Sequence, residues 1–268
     1  MLRSLAARYL PSPVKQFIKR AFFASSSNST PMVFRPDAPA VTLRDVPGIT
    51  MRVHPGDIIS DSIRLTGVWE PELSQKLVSL AAAGGLMVEV GANIGYFSLL
   101  WAGLNENNQV YAFEPSPRNL DLLRSSIALN GLGQRIHVLP VAAGQGISVS
   151  HFDLGPEEQT GWGGIVLASH GRTMPVVVVR LDDLFNQEID ILKIDVEGAD
   201  TWVLEGCERL LREKKIRRIF YEQNKPRLRA LGLAEGQSEA FLEGLGYRVS
   251  PLTSVEADVV EWEALPVA

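Results

Sequence analysis

From residue 86 onward, short apolar runs rich in β-branched residues alternate with helical patterns of apolar and polar positions. Six of the apolar runs are typical of buried strands: 86–90, 109–113, 135–140, 175–180, 190–194 and 216–222. This alternation predicts an α/β fold, in which a mostly parallel sheet carries crossover helices on both faces. Two further runs, 247–251 and 258–262, predict a C-terminal pair of strands.

The first 36 residues differ from the rest of the chain in charge. They contain six basic residues and no Asp or Glu. Apolar positions among the basic ones predict a short amphipathic helix over 14–23, which would lie on an anionic membrane surface. A solvated tail and a transit peptide are the alternatives. The Ser- and Pro-rich stretch 25–39 is typical of a linker.

These features divide the chain into three parts. We predict a basic segment and linker over 1–40, an N-terminal extension over 41–85 that packs on the core, and a main domain over 86–268. Within the extension, the pattern predicts a helix over 71–83. Residues 1–24 would make the peripheral membrane contact.

Composition narrows the class of protein. The chain has 268 residues, of which 46% are hydrophobic, so it can bury a large core, and its formal net charge of -5 offers no basic field for nucleic acid. Its one cysteine, Cys207, cannot form an intramolecular disulfide, which favours a reducing cytoplasm, and we interpret it as a core residue. No apolar stretch reaches the roughly 20 residues that span a bilayer. We therefore predict a cytoplasmic protein, with the inner membrane surface as a second location.

A glycine turn follows the first predicted strand, in the sequence Gly91-Ala92-Asn93-Ile94-Gly95. Gly91 allows the backbone to approach a ligand closely, and the helix that follows offers unpaired N–H groups to an anion. The turn lacks the lysine of a phosphate-binding Walker loop and the middle glycine of dinucleotide-binding folds. It predicts a nucleotide-like cofactor of another kind.

Two carboxylates define that cofactor further. Glu89, just before the glycines, would repel a pyrophosphate but would pair with an ammonium group, such as that of S-adenosylmethionine. Glu114 ends the second strand, where an acidic residue binds the ribose hydroxyls in folds of this kind. Small residues around Ala142 leave space for an adenine ring. The alternative is that both acids are ordinary loop residues and the glycines only turn the chain.

A second acidic cluster follows the strand over 190–194. Asp195 and Glu197 are two residues apart, so in an extended chain both would face the same side of the crevice. Such a pair can hold a polar substrate, bind a divalent cation such as Mg²⁺, or accept a proton. Glu197 has a second interpretation, in which it caps the next helix. Asp195 is the first candidate for a catalytic base or a metal ligand.

Loop residues between 151 and 173 supply further candidates. His170 and His151 are alternative bases, although a loop histidine is more often only solvated. Trp162 could stack on a sugar ring.

Several segments together resemble the FkbM family of S-adenosylmethionine-dependent methyltransferases. The segments are VEVGANIGYFSLL, VYAFEPSPRNLDLLRSSIALNGL, VVVVRLDDL, LKIDVEGADTWVLEGCERLL and IFYEQN, and they span about Leu86 to Asn224. The resemblance implies a Rossmann-like class I methyltransferase fold with a seven-stranded sheet. It also implies O-methylation, often of a sugar hydroxyl on a natural product or a surface glycan.

The resemblance carries residue roles over by position. Glu89, Gly91, Asn93 and Gly95 would contact the methionine part of the cofactor, with Ala92 and Pro115 in the same two loops, and Glu114 would bind the ribose. Asp195 and Glu197 would face the site of methyl transfer, with Glu222 beside them. The insertion over 151–173, which includes Trp162, is expected to shape the acceptor pocket.

Two other classes of protein stay open at this point. A nicotinamide-dependent oxidoreductase shares the strand, the glycine turn and the acid of the second strand, although Glu89 argues against it. A non-catalytic scaffold could keep the same fold.

Overall fold

The computed structural model describes residues 38–267. Its strands, in chain order, are β1 (Ala40–Thr42), β2 (Thr50–Arg52), β3 (Leu86–Val90), β4 (Gln109–Phe113), β5 (Ile136–Leu139), β6 (Ala142–Ala143), β7 (Ser148–Asp153), β8 (Gly164–Val166), β9 (Thr173–Val179), β10 (Ile191–Ile194), β11 (Ile219–Asn224), β12 (Tyr247–Pro251) and β13 (Val259–Pro266). Its α-helices are α1 (Ile58–Thr66), α2 (Pro71–Ala81), α3 (Tyr96–Leu104), α4 (Pro117–Leu129), α5 (Asp200–Glu205), α6 (Glu208–Arg212), α7 (Lys225–Ala230) and α8 (Gln237–Gly244).

Seven strands form the main sheet in the order β12-β13-β11-β10-β3-β4-β5. The five strands from β11 to β5 are parallel, whereas β13 pairs antiparallel with β11 and with β12. The predicted α/β fold, a mostly parallel seven-stranded sheet with a C-terminal antiparallel hairpin, is therefore confirmed. The chain leaves β3 towards β4 and β5 but returns to β10 on the other side of β3, so a crevice opens at the carboxyl ends of β3 and β10.

Helices cover both faces of this sheet because successive strand residues point to opposite sides. In β3, Met87 packs into one core with α2, α3 and α4, while Val88 and Val90 pack into a second core with α5, α6 and α8. The central strands are buried on both faces, which explains why their sequences are near-continuous apolar runs.

The run predicted at 175–180 is a strand, but it lies in a different sheet. β9 pairs with β6 and β7 in a separate sheet of order β6-β9-β7-β8. Its antiparallel partner β7 has mostly exposed and polar residues, so no apolar run marks it in the sequence. This small sheet carries the insertion over 151–173.

The N-terminal residues of the described part pack on α3 and α4. α2 contacts α3 through the first core. Three hydrogen bonds hold β2 to α4 and its C-cap: the Thr50 N–H donates to Asn130 Oδ1 and the Arg52 N–H donates to Ser126 Oγ, each over 2.8 Å, and Asn130 Nδ2 donates to Thr50 O over 2.6 Å. The division of the chain at residues 40 and 85 stays a prediction. The predicted basic helix over 14–23 lies outside the described residues, so the membrane contact through 1–24 also stays a prediction. Among residues 38–267, no helix is long and apolar enough to cross a membrane.

Candidate active site

A cavity of about 270 Å³ lies at the carboxyl ends of the parallel strands. One half is formed by the turn after β3, the end of β4 and residues 141–143 after β5. The other half is formed by the ends of β10 and β11. Residues 159–163 of the insertion, together with residues 58–59 and 69–70 of the N-terminal part, complete the wall. The predicted crevice thus holds a site to which distant parts of the chain contribute.

The glycine turn brings the end of β3 against the end of β10. Gly91 has a φ of 86°, in the left-handed region, and a Cβ at this position would overlap the backbone carbonyl of Asp195. The N–H groups of Gly91 and Ala92 both donate to Phe113 O, over 2.9 and 3.0 Å, and the Asn93 N–H donates to Glu114 Oε2 over 2.8 Å. Protein acceptors thus take these three N–H groups, so they are not free for an anion.

Glu114 lies in the wall of this half, and its carboxylate is fixed from both sides. Oε2 accepts the Asn93 N–H, and Oε1 accepts the Ser116 N–H over 2.7 Å. Burial raises the pKa of Glu114 to about 7, although these backbone N–H bonds oppose the shift. The Asn119 side chain is a third hydrogen-bond donor to this carboxylate, which leaves one of its four lone pairs to accept a hydroxyl group. The position matches the one predicted for a ribose-binding acid.

Glu89 does not line the cavity. Glu89 is 1% exposed, and its carboxylate accepts a hydrogen bond from the Ser98 hydroxyl of α3. Its side chain lies on the opposite face of β3 from that of Val90, which does line the cavity. Burial raises the pKa of Glu89 to about 7, while the charge of Lys193 lowers it. The structure therefore does not bring Glu89 to the position that pairing with a cofactor ammonium requires.

Two smaller residues predicted in the cofactor site, Ala92 and Gly95, also lie outside the wall. Both belong to the turn, and Gly95 packs against Leu123 of α4. Gly91, Asn93, Pro115 and Ala142 line the cavity, and their predicted contact with the cofactor stays a prediction.

Carboxylates dominate the other half of the cavity. Asp195, Glu197 and Glu222 all line it, as the sequence predicts, and they are joined by Glu70 from the N-terminus of α2. Carboxylate oxygens of Glu70, Asp195 and Glu222 lie within 4.8 Å of one another. Sequence reasoning missed Glu70, because nothing in its local pattern marks a residue so far upstream as part of this site.

Mutual repulsion and burial alter the protonation of this cluster. Burial raises the pKa of Glu70 to about 7, and burial together with the nearby Asp195 raises the pKa of Glu222 well above its usual value. Lys193, 3% exposed, lies beneath the cluster with its Nζ 3.0 Å from Asp195 Oδ2. Burial lowers the pKa of Lys193, but Asp195, Glu70 and Glu89 together outweigh this effect and raise it. The lysine is therefore a permanent positive charge.

Glu197 is held by side chains at the end of β11 and in α7. Its Oε2 accepts a hydrogen bond from Asn224 Nδ2 over 2.7 Å and lies 3.4 Å from Arg227 Nε. Burial and the charge of Asp195 raise the pKa of Glu197 to about 7. The residue before α5, Ala199, makes no side-chain cap, and the recorded bond of Glu197 goes to Asn224 instead, so the geometry does not favour the helix-capping interpretation.

Backbone strain is concentrated in this wall. Among residues 38–267, four residues other than glycine have a positive φ, and three of them, Glu70, Asn93 and Glu197, line the cavity. Left-handed conformations of such residues cost about 1–3 kcal/mol each and persist where the surrounding structure enforces them, most often at functional sites.

Residues 159–163 of the insertion line the cavity, whereas the histidines of the insertion do not. Trp162 lies in the wall, and its carbonyl accepts a hydrogen bond from Arg227 Nη2 over 2.7 Å. Asp57 ties the insertion to the start of α1, because its carboxylate accepts both the Thr160 N–H over 2.6 Å and the Ser60 N–H over 2.9 Å. The predicted catalytic candidate His170 is exposed, with Nε2 3.4 Å from Asp153, and does not line the cavity.

A family model described as the methyltransferase FkbM domain matches residues 89–249, which is more than half of the chain. The chain belongs to the FkbM methyltransferase family. The resemblance seen in the sequence is thus confirmed.

Relatives of this FkbM-family chain include proteins known by sequence and by structure. Methyltransferase sdnD of Sordaria araneosa is 28% identical over 210 residues, which cover 66% of this chain and 76% of sdnD. The crystal structure of methyltransferase FkbM from Methylobacillus flagellatus KT is 18% identical with a TM-score of 0.47, and the match covers 68% of this chain and 43% of that one. This chain therefore spans less than half the length of that protein. An O-methyltransferase from Bacillus cereus in complex with SAH is 15% identical with a TM-score of 0.46, over 74% of this chain and 82% of that one.

The FkbM segment does not contain the whole cavity. The glycine turn and the acids Glu114, Asp195, Glu197 and Glu222 fall within residues 89–249, whereas residues 58–59, residues 69–70 and Val259 lie outside them.

Proposed function

We propose that this chain is an S-adenosylmethionine-dependent methyltransferase that O-methylates a hydroxyl group of a sugar, a glycan or a natural product. One observation carries the proposal: a single cavity joins a half built on the glycine turn and Glu114 to a half built on carboxylates, at the point where the strand order reverses. Cofactor and acceptor would then meet beside the contact between Gly91 and Asp195, where the two halves of the cavity join.

The residues of the first half fit the cofactor. Glu114 keeps one lone pair for a ribose hydroxyl, and Ala142 with its neighbours leaves room for a flat ring. Asn119 Oδ1 and Thr160 Oγ1 belong to residues that are 3% exposed and line the cavity, and neither atom has a hydrogen-bond partner among the described residues. Buried polar atoms are rarely left unpaired, so a ligand with polar groups fits here. When bound, S-adenosylmethionine supplies a methyl group on a positively charged sulfur.

The second half would bind the acceptor and take up its proton. Methyl transfer depends mainly on alignment of the two reacting atoms and on exclusion of water. The insertion, with Trp162 in the cavity wall, would exclude water from the reacting atoms. Asp195 is the first candidate for the base, since Lys193 fixes its carboxylate from below. Glu197 is the second candidate, because a pKa of about 7 suits a base that works near neutral pH. Glu222 and Trp162 would contact the acceptor.

Ligand titrations of the purified protein test this proposal. Melting temperature is measured with S-adenosylmethionine and, separately, with NADH, because a ligand that binds only the native state must raise it. We expect a rise with S-adenosylmethionine alone. A rise with NADH alone would identify an oxidoreductase, and no rise with either would identify a scaffold, so both results contradict the proposal. Protein that binds S-adenosylmethionine is then incubated with methyl-labelled cofactor and a panel of sugars and small alcohols.

A further inference from the structure

Residues 154–163 of the insertion, which we call the cover segment, are held to the core through their main chain. Arg118 of α4 donates hydrogen bonds to the carbonyls of residues 154 and 156. Arg227 of α7 donates to the carbonyl of Trp162 over 2.7 Å. These bonds use main-chain groups of the segment and leave its side chains available to the cavity, which residues 159, 160 and 162 line.

Asp57 fixes the middle of the cover segment. It is 0% exposed, and its two carboxylate oxygens serve two elements: Oδ2 accepts the Ser60 N–H and caps α1, and Oδ1 accepts the Thr160 N–H over 2.6 Å. The next residue, Ile58, adds a main-chain bond, in which its N–H donates to the Glu158 carbonyl over 3.2 Å. A single buried carboxylate thus sets the position of Thr160 relative to the core.

The cover segment lies against the residues that hold Glu114, the acid predicted to bind the ribose. The Asn119 side chain donates to the Glu114 carboxylate, and its Nδ2 also lies 3.5 Å from the Thr160 carbonyl. Gly161 lies beside Asn93, whose N–H donates to Glu114: a Cβ at Gly161 would be 3.6 Å from Asn93 Nδ2. Two partners of Glu114 are therefore neighbours of the segment, which places the segment in the cofactor half of the cavity.

Buried polar atoms without a partner belong to these same residues. Among the described residues that line the cavity, three buried side-chain atoms have no hydrogen-bond partner: Asn93 Oδ1, Asn119 Oδ1 and Thr160 Oγ1. Asn119 and Thr160 are each 3% exposed. Such atoms are rarely left unpaired, so a molecule with several polar groups is expected to bind beside Glu114. Asn119 Oδ1 can only accept a hydrogen bond, whereas the Thr160 hydroxyl can donate or accept one.

We propose that the Thr160 hydroxyl binds the nucleoside part of S-adenosylmethionine, and that Asp57 is the positioning residue that holds Thr160 there. The nucleoside carries ribose hydroxyls and a polar adenine edge, and Glu114 marks the expected place of the ribose. This inference rests on the proposed function and deepens it, because the insertion then belongs to the cofactor site as well as to the acceptor pocket. Asp57 lies outside residues 89–249, so a residue beyond the family segment would control cofactor affinity.

Replacement of Thr160 by valine tests the proposed contact. Thr160→Val removes the hydroxyl group but keeps the N–H that Asp57 accepts. We expect the Kd of S-adenosylhomocysteine and that of adenosine, both measured by calorimetry, to rise about 3- to 10-fold. The hydroxyl is buried and unpaired in the free protein, so its loss should not lower the melting temperature without ligand. Loss of affinity without loss of stability identifies a ligand contact.

Replacement of Asp57 by serine separates positioning from helix capping. Serine caps a helix about as well as aspartate, so α1 keeps its cap, whereas the oxygen that accepts the Thr160 N–H is lost. We expect the same 3- to 10-fold rise in both Kd values, about the worth of one hydrogen bond. The double variant should bind no more than about twofold more weakly than either single variant, because both changes remove the same contact. If Asp57→Ser does not fold, Asp57→Asn repeats the test, since its amide keeps one accepting oxygen.

Glu256→Gln is the control for loss of an acidic charge. Glu256 is exposed and lies outside the cavity wall, so its replacement should leave both Kd values unchanged. The melting temperature of each variant verifies that it folds.

Several outcomes would overturn the inference, and they differ from failure of the proposed function. A wild-type Kd in Thr160→Val shows that Thr160 does not bind the cofactor. Losses that add in the double variant show that Asp57 does not act through Thr160. A loss for S-adenosylhomocysteine alone, with adenosine unaffected or not bound, places the contact outside the nucleoside. All three results leave the proposed function standing, whereas absence of S-adenosylhomocysteine binding to the wild-type protein overturns both proposals.

Discussion

Replacement of Gly91 by alanine tests whether contact between the ends of β3 and β10 builds the site. The change adds one methyl group at a residue with a φ of 86°. That methyl group would lie 2.8 Å from the carbonyl carbon of Asp195 and closer still to its oxygen, and the next nearest atom also belongs to the Asp195 backbone. No flexible side chain can move away, so one of the strand ends must shift.

Two costs combine in this variant. A left-handed backbone costs a residue with a Cβ about 1–2 kcal/mol. Ordinary van der Waals contact begins at 3.4 Å, 0.6 Å beyond the 2.8 Å to the carbonyl carbon, and because the carbonyl oxygen is nearer still, the carbonyl group must move by more than 0.6 Å. Overpacking of this kind costs about 1–3 kcal/mol. We therefore expect Gly91→Ala to lower the free energy of unfolding by about 2–5 kcal/mol and to displace Asp195 relative to the glycine turn.

Gly236→Ala is a matched control. Gly236 has a φ of 79°, but a Cβ there meets no atom within 4 Å. It should therefore cost only the backbone term, about 1–2 kcal/mol, and leave ligand binding unchanged. The free energies of unfolding come from urea titrations and the Kd of S-adenosylmethionine from calorimetry. If Gly91→Ala costs no more than Gly236→Ala and binds the cofactor with the wild-type Kd, the close approach of the strand ends does not matter, and this reasoning is refuted.

Three further predictions concern the carboxylates. Asp195→Asn should lower the rate of methyl transfer at least about 100-fold while the Kd of S-adenosylmethionine stays within about twofold; retained activity in the labelled-methyl assay would exclude Asp195 as the base. Glu114→Ala should weaken S-adenosylmethionine binding by about 10- to 100-fold in calorimetry, because a hydrogen bond to a charged acceptor is lost, and an unchanged titration would contradict its ribose-binding role. Burial raises the pKa of Glu89 in the folded protein to about 7 from an ordinary value of 4.5. Between these two pH values the native state binds more protons than the unfolded state, so the free energy of unfolding falls as the pH rises from 4.5 to about 7. Glu89→Gln should reduce that fall in urea unfolding measured between pH 5 and 7, whereas Glu256→Gln should not; equal slopes in both variants would show that Glu89 does not carry the effect.

The central strands could be predicted from the sequence because each is buried on both faces. The bounds predicted for β3 and β4 coincide with those in the structure, since continuous apolar runs end at Gly91 and Glu114. The partner of β9 could not be predicted in the same way. Pairing depends on β7, whose alternating exposed positions carry little apolar signal.

Site residues could be predicted where they come directly after the central strands in the sequence. Asp195 and Glu197 line the cavity, as expected, but Glu197 does so through a left-handed turn rather than an extended chain. For Glu89 the signal was present in the sequence: its neighbour Val90 faces the cavity, and in a strand adjacent side chains point to opposite faces. His170 lies on an exposed loop with its Nε2 3.4 Å from Asp153, a placement that no local pattern specifies.

The wall that faces the acceptor is assembled from two sources. Asp195 and Glu222 belong to the segment shared by FkbM-family proteins, whereas Trp69, Glu70 and Val259 come from stretches before and after it. Substitutions at Trp69, Glu70 or Val259 would therefore change the shape and charge of the carboxylate half, where we propose that the acceptor binds. A variant in which residues 58–70 are replaced would therefore test how far a stretch outside the family segment contributes to the acceptor site that we propose.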